Sequence, residues 1–312
     1  MNTIKAIALD GILLAIIAHG LIGISLIWDK VLLKQRGTQN LVSYVFWLGA
    51  ISIFGLILIP FGFQMPSLKV AGLAFFAGFL DLAASFFYYS ALKSGEASEE
   101  LAAMGGFGPV FTALISIPLL KTAIGGDILG FTLMTLGGFT MFFGEKAPLK
   151  KMLPKIVLAA GGFGLMNVLQ KLVFNQVHFV SGYVFFTFGT FIGSMLLLVP
   201  PSWRRQVFQN SGQAPPKSKF WYIFNRFLAG VGSFLVIYAL SRTSPSLVQA
   251  ITGIRYATIF VGAYLITKFR PSWFREDFGG RSLFVKALGT SLVIAGLILV
   301  GIHGGSAAQG GH

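Results

Sequence analysis

The sequence contains no cysteine and few acidic residues, and these absences exclude several kinds of function. Without cysteine there is no disulfide framework, no thiol nucleophile and no cysteine-based metal site. The motifs G-x-S-x-G, H-E-x-x-H and G-x-x-x-x-G-K, which mark serine hydrolases, zinc proteases and P-loop nucleotide-binding proteins, are also missing. We therefore expect the chain not to be an enzyme or an ATP-driven pump, and we expect no cofactor and no metal site.

Charged residues are scarce in a chain that is otherwise very apolar. Hydrophobic residues make up 55% of the sequence and charged residues 11%, and the mean hydropathy is +0.78. A chain of this composition is typical of a membrane protein. The net charge of +14 lies mostly in short links between apolar stretches. We interpret it as a set of anchors beside anionic lipid headgroups, and not as a nucleic-acid-binding surface.

Apolar stretches of about 20 residues, the length that crosses a bilayer as a helix, recur along the whole chain. They predict ten transmembrane helices, at residues 9–28, 41–61, 69–92, 98–120, 124–143, 154–176, 180–200, 219–241, 245–267 and 283–303. The first stretch has no small-residue cleavage site after it, so we expect it to be retained. The longest link, residues 202–219, is rich in Pro, Gly and Ser, and this composition predicts a loop.

The sequence contains an internal repeat with an offset of 148 residues. The offset pairs Ser85 with Ser233, Phe86 with Phe234, Ala91 with Ala239, Ala102 with Ala250 and Gly105 with Gly253. Gly130 and Gly137 recur as Gly289 and Gly296, seven residues apart in both halves. We therefore predict two five-helix repeats, at residues 1–148 and 149–304, and a disordered tail at 305–312. Because five is an odd number, the second repeat is inverted in the membrane, an arrangement that places a binding site at the midplane.

The distribution of lysine and arginine predicts an orientation. Links after odd-numbered helices carry 17 of these residues, and the links on the other face carry 4. The positive-inside rule then places both termini outside the cytoplasm.

Asp81, Arg226 and Arg255 fall within predicted helices and away from their ends, where an ionisable group is a candidate for function. Asp81 lies near the middle of the third helix, and we expect it to bind a proton or a cationic group, or to form a permanent buried ion pair. Arg226 and Arg255 are its candidate partners, and Arg226 lies 145 positions after Asp81, close to the repeat offset. Arg255, followed by Tyr256, is equally a candidate to hold a substrate carboxylate or phosphate.

Uncharged polar residues in the predicted helices form a second candidate set. Each of these residues could instead form a hydrogen bond between helices. His19 has no second potential metal ligand at i+3 or i+4, so its pattern is more typical of a packed histidine than of a metal ligand. The candidates for lining a substrate cavity are Trp28, Tyr88, Asn167, Gln170 and Gln249.

Several of these features together resemble a known family. These features are the five-plus-five organisation, residues 91–120 with Pro109, the similar residues 239–266, and the Gly-x6-Gly spacing that follows each of these two segments. Together they are similar to the EamA branch of the drug/metabolite transporter superfamily. Members of that family export or exchange amino acids, nucleotide sugars and other small metabolites through a central cavity.

The resemblance implies that Asp81, Tyr88, Arg226, Gln249, Arg255 and Tyr256 line that cavity. Two departures stand out. Lys121 and Lys268 occupy positions at which relatives commonly carry an acidic residue, and relatives usually keep both termini in the cytoplasm, opposite to the charge distribution.

We therefore predict a secondary transporter in the cell membrane that moves a small polar metabolite by alternating access, with protons as a candidate coupling ion. Its other partners are membrane lipids, and its assembly is a monomer or a homodimer. The alternative from another class is a polytopic protein that does not transport, either a lipid-handling enzyme or a scaffold subunit.

Overall fold

The computed structural model describes residues 2–34, 40–94, 97–120, 128–144, 149–213, 215–242 and 252–307. These residues are almost entirely helical, and no strand occurs among them. The helices are α1 (Asn2–Leu32), α2 (Leu41–Ile51), which continues as a 3₁₀ segment (Ser52–Phe61), α3 (Leu68–Ser94), α4 (Ala97–Leu120), α5 (Ile128–Gly144), α6 (Leu149–Phe174), α7 (Phe179–Leu196), α8 (Pro201–Gln213), α9 (Pro216–Arg242), α10 (Gly253–Phe269) and α11 (Gly280–Ala307).

Seven helical segments in the described part of the chain are long and apolar enough to cross a membrane. They are Leu13–Leu32, Leu41–Phe61, Leu68–Ser94, Ala103–Leu120, Met152–Phe174, Phe179–Leu196 and Pro216–Ala239. Each matches one of the ten predicted helices. The other three predictions fall on α5, α10 and α11, which are helical but are not among the seven. The all-helical membrane class is thus confirmed, and the count of ten spans stays a prediction.

Helix α8 corrects the prediction of a loop at residues 202–219. Pro201 stands at its first position, where the missing N–H of proline is not needed. Trp203 and Val207, four residues apart, face the bundle, and Val207 packs in a cluster with Val42 and Phe46 of α2. Two apolar side chains at helical spacing therefore outweigh the loop-like composition around them.

Glycines bring α3 and α7 into backbone contact. A Cβ on Gly78 would overlap the carbonyl oxygen of Phe186, and one on Gly189 would overlap that of Phe75. Any larger residue would separate the two helices. The close approach is the packing expected of membrane helices, which associate through small residues.

The glycines of the Gly-x6-Gly spacing meet one another where α5 packs on α11. A Cβ on Gly137 would lie 2.7 Å from the carbonyl oxygen of Gly289, and one on Gly296 would lie 2.5 Å from that of Gly130. The first glycine of each Gly-x6-Gly pair thus faces the second glycine of the other pair: Gly130 faces Gly296, and Gly289 faces Gly137. The two helices therefore cross in antiparallel directions at these positions.

Other helix contacts also occur in corresponding pairs. Helix α3 packs on α6 and α9 packs on α1, while α4 packs on α6 and α10 packs on α1. The largest cluster of buried apolar residues lies where α1, α2, α3, α9 and α10 meet. Helices α1 and α3 terminate, and α2 and α9 begin, on the same side of the bundle. We call this side the basic end, because the links predicted there carry most of the lysines and arginines.

Candidate functional site

A buried polar network surrounds Asp29, close to the end of α1. Asp29 is 1% exposed and forms an ion pair with Arg226 of α9. The hydroxyl of Tyr44 and the Nδ2 of Asn225 each donate to Asp29 Oδ1 at 2.5 Å. The hydroxyl of Tyr89 donates to Asp29 Oδ2 at 2.9 Å. Both oxygens of the carboxylate are therefore hydrogen-bonded, as a buried charge requires.

Aromatic rings surround the guanidinium of Arg226. Its centre lies 5.4, 5.8 and 5.6 Å from the ring centroids of Tyr44, Tyr89 and Tyr222, within the range of cation–π attraction. Its Nη1 donates to the hydroxyl of Tyr89 at 3.0 Å, and the hydroxyl of Tyr222 donates to the carbonyl of Tyr44 at 2.7 Å. We call these four residues, with Asp29 and Asn225, the Asp29 network.

A cluster of three tryptophans lies beside this network at the basic end. The ring of Trp28 packs on Trp221 and on Trp273, in both cases with centroids 5.2 Å apart. Trp273 is exposed and belongs to the link between α10 and α11, in which Phe274 is buried. Side chains from α1, α9 and this link therefore pack together beside the network.

A second polar site surrounds Arg255, near the start of α10. Its Nη2 lies 3.0 Å from Nδ1 of His19 on α1, and the other ring nitrogen of His19 lies 3.4 Å from Oγ1 of Thr252. The buried Nε of Arg255 has no hydrogen-bond partner among the described residues. Ion pairs in the described part of the chain join Arg226 to Asp29 and Lys286 to Glu276, and none involves Arg255.

Tyrosines from two helices complete this second site. Arg255 interacts electrostatically with Tyr88 of α3 and with Tyr256 of α10. Tyr88 is buried and packs on Phe163 of α6, while the ring of Tyr256 lies against Gly105 of α4. We call His19, Tyr88, Thr252, Arg255 and Tyr256 the Arg255 site. It combines residues from both halves of the chain.

Comparison with known protein families matches the first part of the chain. Residues 9–144 match the model of the EamA-like transporter family. This family is part of the drug/metabolite transporter superfamily, so the resemblance drawn from the sequence is confirmed over this EamA-like segment. The match, with the apolar helices, indicates a multi-pass membrane protein with an EamA-like segment.

The comparison with curated protein sequences gives no match. Among solved structures, the chain is similar to one described as a crystal structure of a protein. The comparison has a TM-score of 0.59 and a sequence identity of 14%. The similarity covers 95% of this chain and 97% of that chain. At this level of identity it shows a shared fold.

Asp81, in the EamA-like segment, lies apart from both arginines that were its candidate partners. It is half-buried on α3 and interacts electrostatically with Tyr183 of α7. It precedes Tyr89 of the Asp29 network by eight residues, which is about 12 Å along a helix. Because Arg226 pairs with Asp29 and Arg255 contacts His19, no ion pair joins either arginine to Asp81 in the described part of the chain.

The remaining predicted site residues are distributed over the bundle. Trp28 lies in the tryptophan cluster. Asn167 and Gln170 lie on α6, the first half-buried and the second buried. Gln249 lies outside the described residues. The structure thus brings Tyr88, Arg255 and Tyr256 together, and it places Arg226 in a different network.

Asp29, whose carboxylate accepts hydrogen bonds from four side chains in the described part of the chain, was not predicted from the sequence. Asp29 lies near the end of an apolar stretch and precedes Lys30, a position typical of a residue at the membrane surface. Lys30 is in fact 3% exposed and donates to the carbonyl of Leu92. The available signal was an acidic residue in an apolar stretch of a chain that has only 10 acidic residues.

Proposed function

We propose that the protein is a secondary transporter that moves a small polar metabolite with an anionic group by alternating access. The observation that carries this proposal is the Arg255 site. A guanidinium lies there among α1, α3, α4 and α10, and no carboxylate pairs with it among the described residues. A guanidinium in such a place matches the planar geometry of a substrate carboxylate or phosphate.

The contact between α5 and α11 supports an inverted repeat. Across an antiparallel crossing, each glycine faces the other member of the opposite pair and not its own counterpart in the repeat: Gly130 faces Gly296, and Gly137 faces Gly289. A twofold axis that relates two antiparallel membrane helices lies in the membrane plane. The corresponding helix pairs, α3 with α6 and α9 with α1, agree with the same axis. This is the construction in which a central site opens alternately to the two sides.

The Asp29 network supplies a closure at one end of that pathway. It joins α1, α2 and α3 of the first half to α9 of the second half, and the tryptophan cluster lies beside it. Alternating access requires one end to close while the other opens. We propose that the network holds the basic end closed, and that this end faces the cytoplasm, as the positive-inside rule predicts.

Asp81 is proposed to bind a cationic group of the substrate. Its carboxylate is half-buried on α3 and has no ion pair in the described part of the chain. A metabolite that carries both an ammonium and a carboxylate group, such as an amino acid, would then have a charged partner for each.

The proposal is tested by exchange across vesicles that contain the purified full chain. Labelled amino acids, small carboxylates and phosphate esters are offered outside, with the same unlabelled compound inside. We expect exchange of at least one carboxylate or phosphate compound, reduced at least tenfold by Arg255→Gln. A tenfold loss corresponds to about 1.4 kcal/mol, below the roughly 1.5–3 kcal/mol of a charged hydrogen bond.

The matched control is Arg270→Gln, because Arg270 is an exposed arginine just after the end of the same helix. Exchange that is equal in Arg255→Gln and wild type would contradict the role of Arg255. If the folded, inserted protein exchanged none of the compounds, the non-transporting scaffold would be the better account.

A further inference from the structure

We propose that the link between α10 and α11 binds the headgroup of an anionic phospholipid, and that this lipid stabilises the closed state of the basic end. The lipid site is argued from the contacts of the link itself. Its effect on closure rests on the proposed function, in which the Asp29 network closes that end.

The link has one buried face and one exposed face. Phe274 and Glu276 are buried, while Trp273, Arg275 and Asp277, which alternate with them, are exposed. Alternation of this kind is typical of an extended backbone, whose successive side chains point to opposite sides. The link therefore lies against the bundle along its inner face and leaves its outer face open.

Contacts with both neighbouring helices fix the inner face. Phe274 packs in the largest cluster of buried apolar residues, and Glu276 pairs with the buried Lys286 of α11. The N–H of Glu276 donates to Thr267 Oγ1 of α10 at 3.1 Å, and Lys286 Nζ donates to the carbonyl of Asp277 at 2.6 Å. A link that is held in this way presents its outer face in a fixed position.

The outer face and the adjoining helix ends are positively charged. Lys268, Arg275 and Arg281 are exposed, and the ion pairs of the described residues involve none of them. Asp277 is exposed beside them, so the cations outnumber the acid. Lysine and arginine are the usual partners of a phosphate group. The charge of this face therefore suits an anionic headgroup.

Exposed aromatic rings beside these cations favour a lipid over a soluble phosphate. Lys268 Nζ lies 5.5 Å from the ring centroid of Phe269, which is 66% exposed. Phe284 is also 66% exposed, and it lies three residues after Arg281 on the same face of α11. A soluble anion would leave both rings uncovered, whereas a phospholipid brings acyl chains to the rings and a phosphate to the cations.

The same link contacts the tryptophan cluster at the basic end. Trp273 packs on Trp28 of α1 with ring centroids 5.2 Å apart, and the ammonium of Lys34 lies 6.0 Å from the ring centroid of Phe274. A headgroup that holds the outer face in place also holds these contacts with the end of α1. A ligand that binds one state better shifts the population toward that state, so anionic lipid should favour closure.

The direct test measures lipid contact at the link, with the full chain in nanodiscs. Because the chain has no native cysteine, Ser272→Cys at an exposed position accepts a single fluorescent label. Phosphatidylglycerol or phosphatidylcholine with a nitroxide near the headgroup quenches this label on contact. We expect phosphatidylglycerol to be preferred at least about fivefold, the effect of a single Lys or Arg beside an anionic headgroup.

Two variants test which side chains bind the headgroup. The triple variant Lys268→Gln/Arg275→Gln/Arg281→Gln should quench equally with both lipids. The double variant Arg275→Lys/Arg281→Lys keeps the positive charge and should keep the preference for phosphatidylglycerol.

The matched control is the triple variant Arg204→Gln/Arg205→Gln/Lys217→Gln, which removes the same charge from exposed positions at the same end. It should keep the preference at the labelled link. Equal quenching by both lipids in the chain with all its cations, or an equal loss of preference in both triple variants, would overturn the lipid site. Loss of the preference when inorganic phosphate is added at constant ionic strength would assign the site to a soluble anion and overturn it as well.

A distance measurement tests the effect on closure. With spin labels at Lys93→Cys and Lys217→Cys, adding phosphatidylglycerol to phosphatidylcholine nanodiscs should raise the ratio of short to long distances at least about twofold. The rise should be absent in Lys268→Gln/Arg275→Gln/Arg281→Gln. An unchanged ratio in a protein whose link prefers phosphatidylglycerol would overturn the effect on closure. The same lipid preference in a protein that exchanges nothing would refute the transport function and leave the lipid site standing.

Discussion

At the scale of single residues, Asp29 and Arg226 form a buried ion pair between α1 and α9. Both side chains are buried, and every contact that satisfies the carboxylate comes from Tyr44, Tyr89, Asn225 or Arg226. A buried ion pair of this kind is a weak contribution to net stability compared with an apolar pair. Removing one partner is nevertheless severe, because an uncompensated charge stays buried.

We therefore expect Asp29→Asn to lower the free energy of unfolding by about 3–5 kcal/mol. Thermal unfolding in lipid nanodiscs measures the change. The matched control is Asp277→Asn, since Asp277 is an exposed aspartate whose Oδ1 acceptor the asparagine retains. Equal unfolding temperatures for Asp29→Asn and wild type would show that the ion pair is not needed for the fold.

A separate prediction concerns Asp81. If its carboxylate binds a cationic group, Asp81→Asn should weaken exchange of amino acids at least tenfold and leave exchange of simple carboxylates within about twofold. The reason is that a charged hydrogen bond, worth about 1.5–3 kcal/mol, is lost only for substrates with an ammonium group. Concentration-dependent exchange of the two classes measures this. Equal losses for both classes would indicate a structural role.

The sequence could predict which residues are costly to bury but not which of them meet. It predicted Arg226 and Arg255 as functional candidates from their positions inside apolar stretches. It did not predict that Asp29 and Arg226, 197 positions apart, would form a pair. That pairing depends on the packing of α1 against α9, which no local pattern specifies.

At the scale of helices, close packing through glycine explains how the two halves meet. Helices α5 and α11 cross with backbone contact at Gly137 and Gly296. In a membrane, helix association depends on such packing and less on hydrophobic burial, because the lipid tails are themselves apolar.

This contact predicts the effect of a single methyl group. Gly137→Ala would place a Cβ 2.7 Å from a backbone oxygen, so we expect a loss of about 1–3 kcal/mol in the free energy of unfolding. Gly72→Ala is the control, since a Cβ there meets nothing within 4 Å and alanine favours a helix by up to about 1 kcal/mol. Thermal unfolding of the two variants measures the difference. A smaller loss for Gly137→Ala than for Gly72→Ala would contradict the packing.

Element boundaries were predictable to different degrees. The second predicted helix, residues 41–61, has the expected extent, but its second half is a 3₁₀ segment that contains Pro60. Helix α8 was missed because its composition is that of a loop, while its position is set by Val207 against α2. Helices can be predicted from long apolar stretches because the bilayer allows few alternatives to a helix. Surface helices such as α8 lack that constraint, so they are harder to predict.

At the scale of the whole molecule, the described contacts fit two halves that meet around the Arg255 site and are closed together at the basic end. In the proposed closure, the Asp29 network and the tryptophan cluster contribute residues from both halves. The repeat in the sequence predicted two related halves. Which end is closed depends on tertiary contacts, and the sequence did not predict it.

The most direct test of this account is a distance measurement across the basic end. Because the chain has no native cysteine, Lys93→Cys on α3 and Lys217→Cys on α9, both exposed positions, allow specific spin labelling. Double electron–electron resonance in nanodiscs measures the distance between the two labels. In the otherwise unchanged chain we expect a short distance to dominate, and in Asp29→Asn we expect the population with a longer distance to increase. A single distance distribution that is the same with and without Asp29→Asn would contradict the claim that the Asp29 network closes an opening between the two halves.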